Sequence, residues 1–223
     1  MWCLNLGIIG QLSSLRRIFF VSILGIKKNI NKSEISLIKA LTTKSLFIDG
    51  GANIGKISKL VIQQSENPDL EIMAFEPDPM AFAQLALIQG EKFQAYEKAL
   101  FVENGIATLF RHKEFTSNFA TTSSTLNHTK SNIGKDNSIQ VNVIDIVDVV
   151  RHRELNSIVM KLDVEGSEYE ILSRLLKTRQ MDKFSMIFCE FHPHKIRFGV
   201  TKHLLLFTRL KLSRNLWKIK NWA

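Results

Sequence analysis

The sequence predicts an α/β protein with a mostly parallel sheet and helices on both of its faces. Apolar runs of strand length alternate along the chain with segments in which apolar residues recur at helical spacing. Parallel strands need crossover connections, and helices are the usual crossovers because they return the chain to the same edge of the sheet. The clearest unit is Ser45–Ser58, where an apolar strand, a carboxylate and a loop of small residues lead into a helix.

Two helices are predicted before this unit. Gln11–Ile26 is an amphipathic segment that we expect to pack on the domain, with attachment to a membrane interface as the alternative. Its apolar run falls short of the ~20 residues that span a bilayer. Lysines follow the run, whereas a secretory signal carries its positive charge before it. Asn31–Leu41 combines the cap residue Ser33 with apolar residues at helical spacing, which predicts a second, short helix.

The remaining elements are predicted from the same two patterns, apolar runs of strand length and apolar residues at helical spacing. Strands are predicted at Leu46–Ile48, Leu70–Phe75, Phe93–Leu100, Ile106–Phe110, Ile139–Ile144, Ile158–Leu162, Phe184–Phe191 and Leu216–Trp222. Helices are predicted at Ile57–Gln64, Met80–Gln89 and Val147–Arg153, from after Glu168 through Leu176, and at Phe198–Leu212. Between Arg111 and Ser138 the periodicity disappears and polar residues dominate. A loop of this length in a compact domain favours a lid or a substrate-facing segment.

At 223 residues, the chain suits one domain with extensions. We predict a helical extension over residues 1–41, an α/β domain over residues 42–200 and a basic segment over residues 201–223 that completes the sheet. Two cysteines, Cys3 and Cys189, are too few for a disulfide framework or a metal cluster. This cysteine usage agrees with a reducing cytoplasm.

The formal net charge is +9, and most of the excess lies near the C-terminus, because no acidic residue follows Glu190 while eight Lys and Arg residues do. Such a patch favours an anionic partner such as nucleic acid, a lipid surface or a phosphorylated glycan. A solvated helix face is the alternative, since basic surface alone has no chemical specificity. We expect a cytoplasmic protein, with attachment to the periphery of a membrane as a second option.

Four polar residues each follow a predicted apolar strand: Asp49, Glu76, Asp163 and His192. In open parallel sheets, ligands bind outside the carboxyl ends of the strands, near the point where the strand order reverses. We therefore expect these four side chains at one rim of the sheet, where they would form a binding site.

The loop after Asp49 contains Gly51, Ala52, Asn53 and Gly55. Small residues let the backbone approach a ligand closely, and the start of the following helix can receive a carboxylate or a phosphate. A dinucleotide fingerprint would have glycine where Asn53 stands. An Asn side chain would crowd a pyrophosphate but can hydrogen-bond an amino-acid moiety. The loop therefore fits S-adenosylmethionine better than NAD.

Glu76 follows the second strand, about twenty residues beyond the glycine loop, where a carboxylate can accept hydrogen bonds from two ribose hydroxyls. The nearby prolines Pro77 and Pro79 fix the turn and stop the strand. A solvated acid at the end of a strand is the alternative, which the flanking strand and the prolines disfavour.

Several motifs together resemble the FkbM-type S-adenosylmethionine-dependent methyltransferases. They are Asp49-x-Gly51-Ala52-Asn53-x-Gly55, Phe75-Glu76-Pro77-x-Pro79, Ala99-Leu100 before a turn with Gly105, Val143-Ile144-Asp145, and Lys161-Leu162-Asp163-Val164-Glu165-Gly166-x-Glu168. The resemblance extends roughly from Leu46 to His192, and the last motif is its most distinctive part.

The resemblance implies a Rossmann-like class I methyltransferase fold and O-methylation of a sugar, a polyketide or a similar small hydroxylated acceptor. It implies that Asp49 and the Gly51–Gly55 loop hold the methionine part of the cofactor and that Glu76 holds the ribose. It also implies that the Ala99 region lines the adenine edge and that Asp163 lies near the methyl group. The family closes its sheet with an antiparallel hairpin, for which the C-terminal segment offers one strand, so we expect that hairpin to be shortened.

Methyl transfer to a hydroxyl requires a group that removes the proton, and the candidates are His192, Asp163 and Glu165. His192 has the most suitable intrinsic pKa, with a histidine bonded to backbone as the alternative. The same three residues could hold a divalent metal that lowers the pKa of the acceptor hydroxyl. The spacing alone does not support a metal, because the fold rather than a short motif assembles oxygen-ligand sites.

Two other classes of function share parts of this pattern. An NAD-dependent oxidoreductase has the strand, the loop and the acidic residue but needs the missing glycine. A degenerate methyltransferase-like module would bind an anionic partner through its basic tail. A tRNA or rRNA methyltransferase lies between these and has charge as its only support. Neither the acceptor nor the oligomeric state follows from the fold.

Overall fold

The computed structural model describes residues 30–42, 44–112, 124–127, 133–153 and 157–222, and the compact unit that carries the sheets spans Ser33–Ala223. Its helices are α1 Lys32–Ala40, α2 Lys56–Gln64, α3 Pro79–Leu85, α4 Ile146–Val150, α5 Glu168–Lys177 and α6 Gly199–Leu212. Its strands are β1 Ser45–Gly50, β2 Glu71–Phe75, β3 Phe93–Tyr96, β4 Ala99–Phe101, β5 Gly105–His112, β6 Ile133–Asp145, β7 Ser157–Leu162, β8 Phe184–Cys189 and β9 Ile219–Asn221. The predicted helix at Gln11–Ile26 lies outside the described residues. Among the described helices, none has the length and apolar character needed to cross a membrane.

The main sheet has six strands in the order β3-β2-β1-β7-β8-β9, and every neighbouring pair is parallel. From β1 the chain moves outward through β2 to β3, and it later returns to the other side of β1 as β7. The strand order therefore reverses between β1 and β7, which is where open α/β sheets bind their ligands. This arrangement confirms the predicted α/β fold.

The sheet is covered on both faces, as its strand sequences predict. Successive side chains of a strand point to opposite faces, and in β1 the side chains of Leu46 and Ile48 join one core cluster whereas Phe47 joins another. The first cluster contains residues of the helices α4, α5 and α6, including Val150, Leu172 and Leu210. The second contains residues of α1 and α2, including Leu37 and Val61. Helices therefore pack on both faces, which explains why the central strands are mostly apolar.

Strand β9 lies at one edge of the main sheet and runs parallel to β8. It follows α6, which acts as the crossover that a parallel connection requires. The Trp222 amide donates to the Cys189 carbonyl at 3.0 Å, and the Trp222 ring packs edge-to-face on Phe188 with centroids 5.9 Å apart. The C-terminal segment thus supplies one strand to the sheet, as predicted, and this strand is parallel rather than part of an antiparallel hairpin.

A second sheet of three strands has the order β4-β6-β5, with β4 parallel and β5 antiparallel to β6. The prediction of one strand over Phe93–Leu100 was wrong, because the segment divides into β3 in the main sheet and β4 in the second sheet. The break lies at Glu97 and Lys98, where the Lys98 amide donates to the Tyr96 carbonyl at 2.8 Å and turns the chain. The periodicity of the apolar residues continues across this turn and therefore hides it.

The polar stretch predicted as a loop from Arg111 to Ser138 is shorter than expected at both ends. β5 continues to His112, and β6 begins at Ile133. Within the stretch, Thr125 forms an antiparallel bridge with Phe110, with backbone hydrogen bonds of 2.8 and 2.9 Å. Thr125 is fully buried, so this part of the stretch belongs to the packed domain. The role of the remainder as a lid stays a prediction.

Candidate active site

The polar residues at the carboxyl ends of β1, β2, β7 and β8 lie at one edge of the main sheet, on either side of the strand reversal. Asp49 and Lys161 are paired in register on β1 and β7, so their side chains lie side by side. The structure brings Asp163 and His192 together with Glu165. A surface cleft of about 550 Å³ lies at the opposite edge, where α1 and the end of α2 meet, and it includes none of these residues.

The loop after β1 has a backbone conformation that requires glycine at two places. Gly51 has a φ of 71°, and a Cβ atom there would lie 1.9 Å from the Asp163 carbonyl oxygen. Gly55 has a φ of 77°, and its Cβ would lie 2.2 Å from the Ile88 side chain. The amides of Gly51 and Ala52 both donate to the Phe75 carbonyl, at 3.1 and 3.0 Å. The loop is therefore fixed against the ends of both β2 and β7.

Asn53 stabilises this loop from within. Its φ of 50° lies in the left-handed region, which Asn tolerates better than most residues. Its side-chain oxygen accepts a hydrogen bond from the Ile54 amide at 2.7 Å, and its own amide donates to Glu76 Oε2 at 2.8 Å. The residue thus has a conformational role in addition to the predicted contact with an amino-acid moiety, which stays a prediction.

Glu76 joins the end of β2 to the loop. Its side chain is only 5% exposed, and its second oxygen, Oε1, accepts from the Asp78 amide at 2.8 Å. Burial raises the pKa of Glu76 to about 7, although the two hydrogen bonds from backbone amides work against this shift. Each carboxylate oxygen can accept more than one hydrogen bond, so both oxygens keep capacity for another donor. The predicted contact with ribose hydroxyls stays a prediction.

Asp49 and Lys161 form a buried ion pair beneath the loop. Asp49 Oδ2 accepts from the Ser58 hydroxyl at 2.7 Å, while Oδ1 lies 3.7 Å from Lys161 Nζ. Lys161 also donates to the Gly51 carbonyl at 2.9 Å and lies 3.4 Å from Asp163 Oδ2. Burial acts to lower the pKa of Lys161, but the charges of Asp49 and Asp163 outweigh it and raise that pKa overall. One lysine therefore connects the loop, β1 and β7.

Asp49 Oδ1 is an acceptor without a full complement of hydrogen bonds. It is buried, and within the described part of the chain it has no hydrogen-bond partner. A buried carboxylate oxygen in this state favours a ligand that brings a donor, and the ammonium group of an amino acid is such a donor. The residues at this edge therefore fit the methionine part of S-adenosylmethionine.

The turn after β7 explains the Glu-Gly-x-Glu part of the distinctive motif. Glu165 and Gly166 both have positive φ, at 57° and 120°. The Glu168 carboxylate is fully buried and accepts from the Val164 amide at 3.2 Å and from the Gly166 amide at 2.9 Å. Glu168 thus closes the turn that carries Glu165. It was not among the predicted site residues, although its place in the motif was a signal for such a role.

His192 lies in the middle of a group of carboxylates and is 4% exposed. Its Nδ1 lies 3.2 Å from Glu168 Oε1, and its Nε2 lies 3.4 Å from Glu165 Oε2 and 3.5 Å from Glu190 Oε1. Burial acts to lower the pKa of His192, but the hydrogen bond and charge of Glu168 raise it overall. The imidazole is thereby held in one orientation by Glu168.

The three predicted catalytic residues meet at this point. Asp163, Glu165 and His192 each offer one ligand atom, and these atoms all lie within 4.8 Å of one another. Ala99 is separate from them, because it lies on β4 in the second sheet. Its neighbour Leu100 has a side chain that a Cβ on Gly50 would approach to 3.0 Å. The predicted contact of the Ala99 region with adenine stays a prediction.

Two contacts from β5 and from the segment bridged to it also reach this edge, and sequence reasoning missed both. The Thr125 hydroxyl donates to the Glu165 carbonyl at 2.7 Å, so the described part of the polar stretch touches the turn after β7. Arg111 binds the buried Asp78 through two hydrogen bonds of 2.9 and 3.0 Å. Both pairs are far apart in sequence, so no local pattern indicates them.

A parallel sheet with a glycine loop and a strand-end carboxylate at its carboxyl edge is typical of the Rossmann-like fold. Residues 49–215 match the family model of the methyltransferase FkbM domain. The chain belongs to the FkbM methyltransferase family.

Two solved structures are similar to this chain at low sequence identity. Methyltransferase FkbM from Methylobacillus flagellatus KT has 16% identity and a TM-score of 0.47, over 78% of this chain and 38% of that one. A candidate rRNA methylase from Clostridium thermocellum has 8% identity and a TM-score of 0.42, over 81% of this chain and 80% of that one. This chain therefore spans less than half the length of the Methylobacillus protein. No curated protein matches the sequence.

Proposed function

We propose that the protein is an S-adenosylmethionine-dependent O-methyltransferase that acts on a hydroxyl of a sugar, a polyketide or a similar small acceptor. The observation that carries this proposal is the hydrogen bond between Glu76 and the Asn53 amide. This hydrogen bond joins the carboxylate at the end of β2 to the glycine loop after β1, close to the strand reversal. The carboxylate is suited to bind ribose, and the loop is suited to bind an amino-acid moiety. Family membership supports methyl transfer as the reaction.

The residues that would hold the cofactor lie on two neighbouring strands. Asp49 Oδ1 would accept a hydrogen bond from the ammonium group, and Glu76 would accept from the ribose hydroxyls. When bound, the cofactor supplies a methyl group that passes from its sulfonium sulfur to the acceptor oxygen, which leaves S-adenosylhomocysteine, a methyl ether and one proton. The chain has to orient the acceptor and remove that proton.

The cluster of Asp163, Glu165 and His192 is the proposed place of proton removal. His192 can accept a proton at Nε2 only in its neutral form, which predominates above its raised pKa. The two carboxylates next to it can accept a proton in their ionised form. The cluster can instead lower the pKa of the acceptor hydroxyl through a bound cation.

At pH 8, above the raised pKa of Glu76, we expect Glu76→Gln to weaken the binding of S-adenosylhomocysteine by about 10- to 100-fold, because a charged acceptor of hydroxyl hydrogen bonds contributes roughly 1.5–3 kcal/mol. Titration calorimetry measures this change. Glu91→Gln is the matched control, since Glu91 is exposed and lies at the opposite edge, just before β3. Unchanged affinity in Glu76→Gln would remove Glu76 from the cofactor site.

The same exchange should not unfold the protein. Because burial raises the pKa of Glu76 to about 7, the folded chain favours its protonated form. Protonation of Glu76 stabilises the folded chain fully at pH values below the pKa of this group in the unfolded chain. This stabilisation is lost as the pH rises through the folded-state pKa of about 7. Above that pH the buried charge is unfavourable, so its removal offsets the lost hydrogen bond. We expect the unfolding free energy of Glu76→Gln at pH 8 to lie within about 1 kcal/mol of that of the unaltered chain.

We also propose that α6 attaches the protein to an anionic membrane surface. Its outer face exposes Leu204, Leu205 and Leu212, which are 63%, 61% and 79% exposed. Arg209, Lys211 and Arg214 are exposed beside these leucines. Apolar side chains that enter the acyl boundary, flanked by cations that meet anionic headgroups, are typical of interfacial helices. Nucleic acid would need the cations but not the leucines, so the observations favour the membrane.

We expect the full chain to co-sediment with phosphatidylserine-containing vesicles and not with pure phosphatidylcholine vesicles. A Leu204→Ser, Leu205→Ser variant should lose most of this binding, whereas Leu87→Ser should keep it. Leu87 is the matched control because it is 78% exposed and lies outside α6. Binding that survives in the double variant and is competed by RNA would contradict membrane attachment. Vesicle binding in a chain that does not bind S-adenosylhomocysteine would favour a non-enzymatic binding module.

A further inference from the structure

We infer that Asp163, Glu165 and His192 form a binding site for a divalent cation at the carboxyl edge of the sheet. The site would take two carboxylate oxygens and one imidazole nitrogen from the chain and leave further positions for water or a substrate oxygen. The site itself depends only on these residues. Its role in lowering the pKa of an acceptor hydroxyl rests on the proposed function.

The spacing of the three ligand atoms suits a single ion. One oxygen of Asp163, one oxygen of Glu165 and a ring nitrogen of His192 lie within 4.8 Å of one another. Two ligands of one ion with bonds of about 2.0–2.6 Å are about 3–4 Å apart when they are adjacent and about 4–5 Å apart when they lie on opposite sides. Small rotations of two partly exposed carboxylates are therefore enough to complete coordination.

The imidazole provides an observation that is independent of the carboxylates. His192 is 4% exposed, and its Nε2 has no hydrogen-bond partner within the part of the chain that the structure describes. A buried polar nitrogen in this state is unfavourable and calls for a partner. Nε2 faces Glu165 and Glu190 at 3.4 and 3.5 Å, so a cation bound next to Glu165 would give this nitrogen the partner that it lacks.

The other ring nitrogen has the contact that a metal-binding histidine usually makes. Nδ1 lies 3.2 Å from Glu168 Oε1, and a carboxylate at this position fixes the ring so that Nε2 points to the metal. The same Glu168 carboxylate binds the Val164 and Gly166 amides. It therefore fixes both the imidazole and the turn that carries Glu165, and we assign Glu168 as the positioning residue of the site.

Two lysines stand close to the carboxylates and would compete with a cation. Lys195 Nζ lies 3.6 Å from Glu165, but its side chain is 44% exposed and can turn outward into water. Lys161 Nζ lies 3.4 Å from Asp163 and keeps Asp49 and the Gly51 carbonyl as partners when a cation binds. Neither lysine therefore has to be left buried without a partner.

The ligand set narrows the class of ion. Carboxylate and water oxygens suit Mg²⁺ and Mn²⁺, whereas an imidazole nitrogen adds affinity for Mn²⁺, Fe²⁺ and Zn²⁺. Mn²⁺ belongs to both groups and has a spectroscopic signal, so it is the most informative probe. With a cation bound, His192 would act as a ligand, and the acceptor hydroxyl would lose its proton to solvent from the coordinated state.

The test is a titration of the chelator-treated full chain with Mn²⁺, in which electron paramagnetic resonance measures the free ion. We expect one Mn²⁺ per chain, with at least tenfold weaker binding in Asp163→Asn and in Glu165→Gln. Asp69→Asn and Glu66→Gln are the matched controls, because both residues are exposed and lie at the opposite edge. Competition with Mg²⁺ and Zn²⁺ then ranks the three ions by their affinity for the site.

Glu168→Gln provides a second readout, since loss of an outer carboxylate typically weakens metal binding about 10- to 100-fold. Thermal unfolding of each variant without metal identifies any that do not fold. If Glu168→Gln does not fold, the test rests on Asp163→Asn and Glu165→Gln, whose side chains are partly exposed. No Mn²⁺ binding at millimolar concentration, or equal binding in the ligand variants and the controls, would overturn the site. The titration contains no methyl donor, so its outcome is separate from that of the S-adenosylhomocysteine titration.

Discussion

Lys161→Met is expected to lower the unfolding free energy by about 3–5 kcal/mol, because it removes one partner of a buried ion pair and leaves the other charge uncompensated. Asp49 is fully buried and has Lys161 as its neighbouring cation, and Asp163 and the Gly51 carbonyl also contact this lysine. Methionine has a similar length but brings neither charge nor donor. The expected loss is therefore mainly the penalty of the carboxylates that remain.

Urea unfolding at neutral pH measures this change through the shift of the midpoint at constant slope. The matched control is Lys59→Met, because Lys59 is exposed on α2 and its replacement should change stability by less than about 0.5 kcal/mol. A loss in Lys161→Met that is no larger than in Lys59→Met would mean that the ion pair does not hold the two strands together.

Gly51→Val is expected to abolish detectable binding of S-adenosylhomocysteine. The new Cβ would lie 1.9 Å from the Asp163 carbonyl oxygen, and a φ of 71° is unfavourable for a β-branched residue. Both the loop and the end of β7 would have to move, and these are the two backbone segments that surround the proposed methyl donor. Strain and displaced packing together should also lower the unfolding free energy by roughly 2–5 kcal/mol.

Gly105→Val separates the close contact from the backbone strain. Gly105 also has a positive φ, of 145°, but a Cβ there would meet no atom within 4 Å. We expect this control to lose some stability and to keep its affinity for S-adenosylhomocysteine, measured by the same calorimetric titration. Gly51→Ala serves if the valine variant does not fold. Parental affinity in a folded Gly51 variant would place the cofactor away from this loop.

The sequence was sufficient to predict the central strands and the edge at which the site lies. The central strands are mostly apolar because helices cover both faces, so polar residues such as Asp49 and Asp163 mark their ends. The fold rule for parallel sheets then places these residues at one edge. These predictions are reliable because they depend on the local pattern of buried residues and need no contact between residues that are distant in the sequence.

The features that sequence reasoning missed depend on contacts between distant residues. The break between β3 and β4 follows from β4 pairing with β6, more than forty residues later by register. The direction of β9 is set by its place on β8, and the Arg111–Asp78 pair links the second sheet to the end of β2. No periodicity contains this information, because pairing is selected by the assembled core.

His192 shows in one residue what the sequence could predict and what it could not. Its position after an apolar strand predicted that it would lie at the active edge, and it does lie there. Its surroundings could not be predicted, since Glu165, Glu168 and Glu190 reach it from two different strand ends. Glu168 orients the ring, and two further carboxylates face its other nitrogen.

Parallel titrations of the unaltered full chain with S-adenosylhomocysteine and with NADH test the central claim most directly. The loop geometry around Asn53 and the carboxylate of Glu76 predict one molecule of S-adenosylhomocysteine bound per chain and no saturable binding of NADH. Binding of NADH without binding of S-adenosylhomocysteine would contradict the methyltransferase assignment and favour an oxidoreductase.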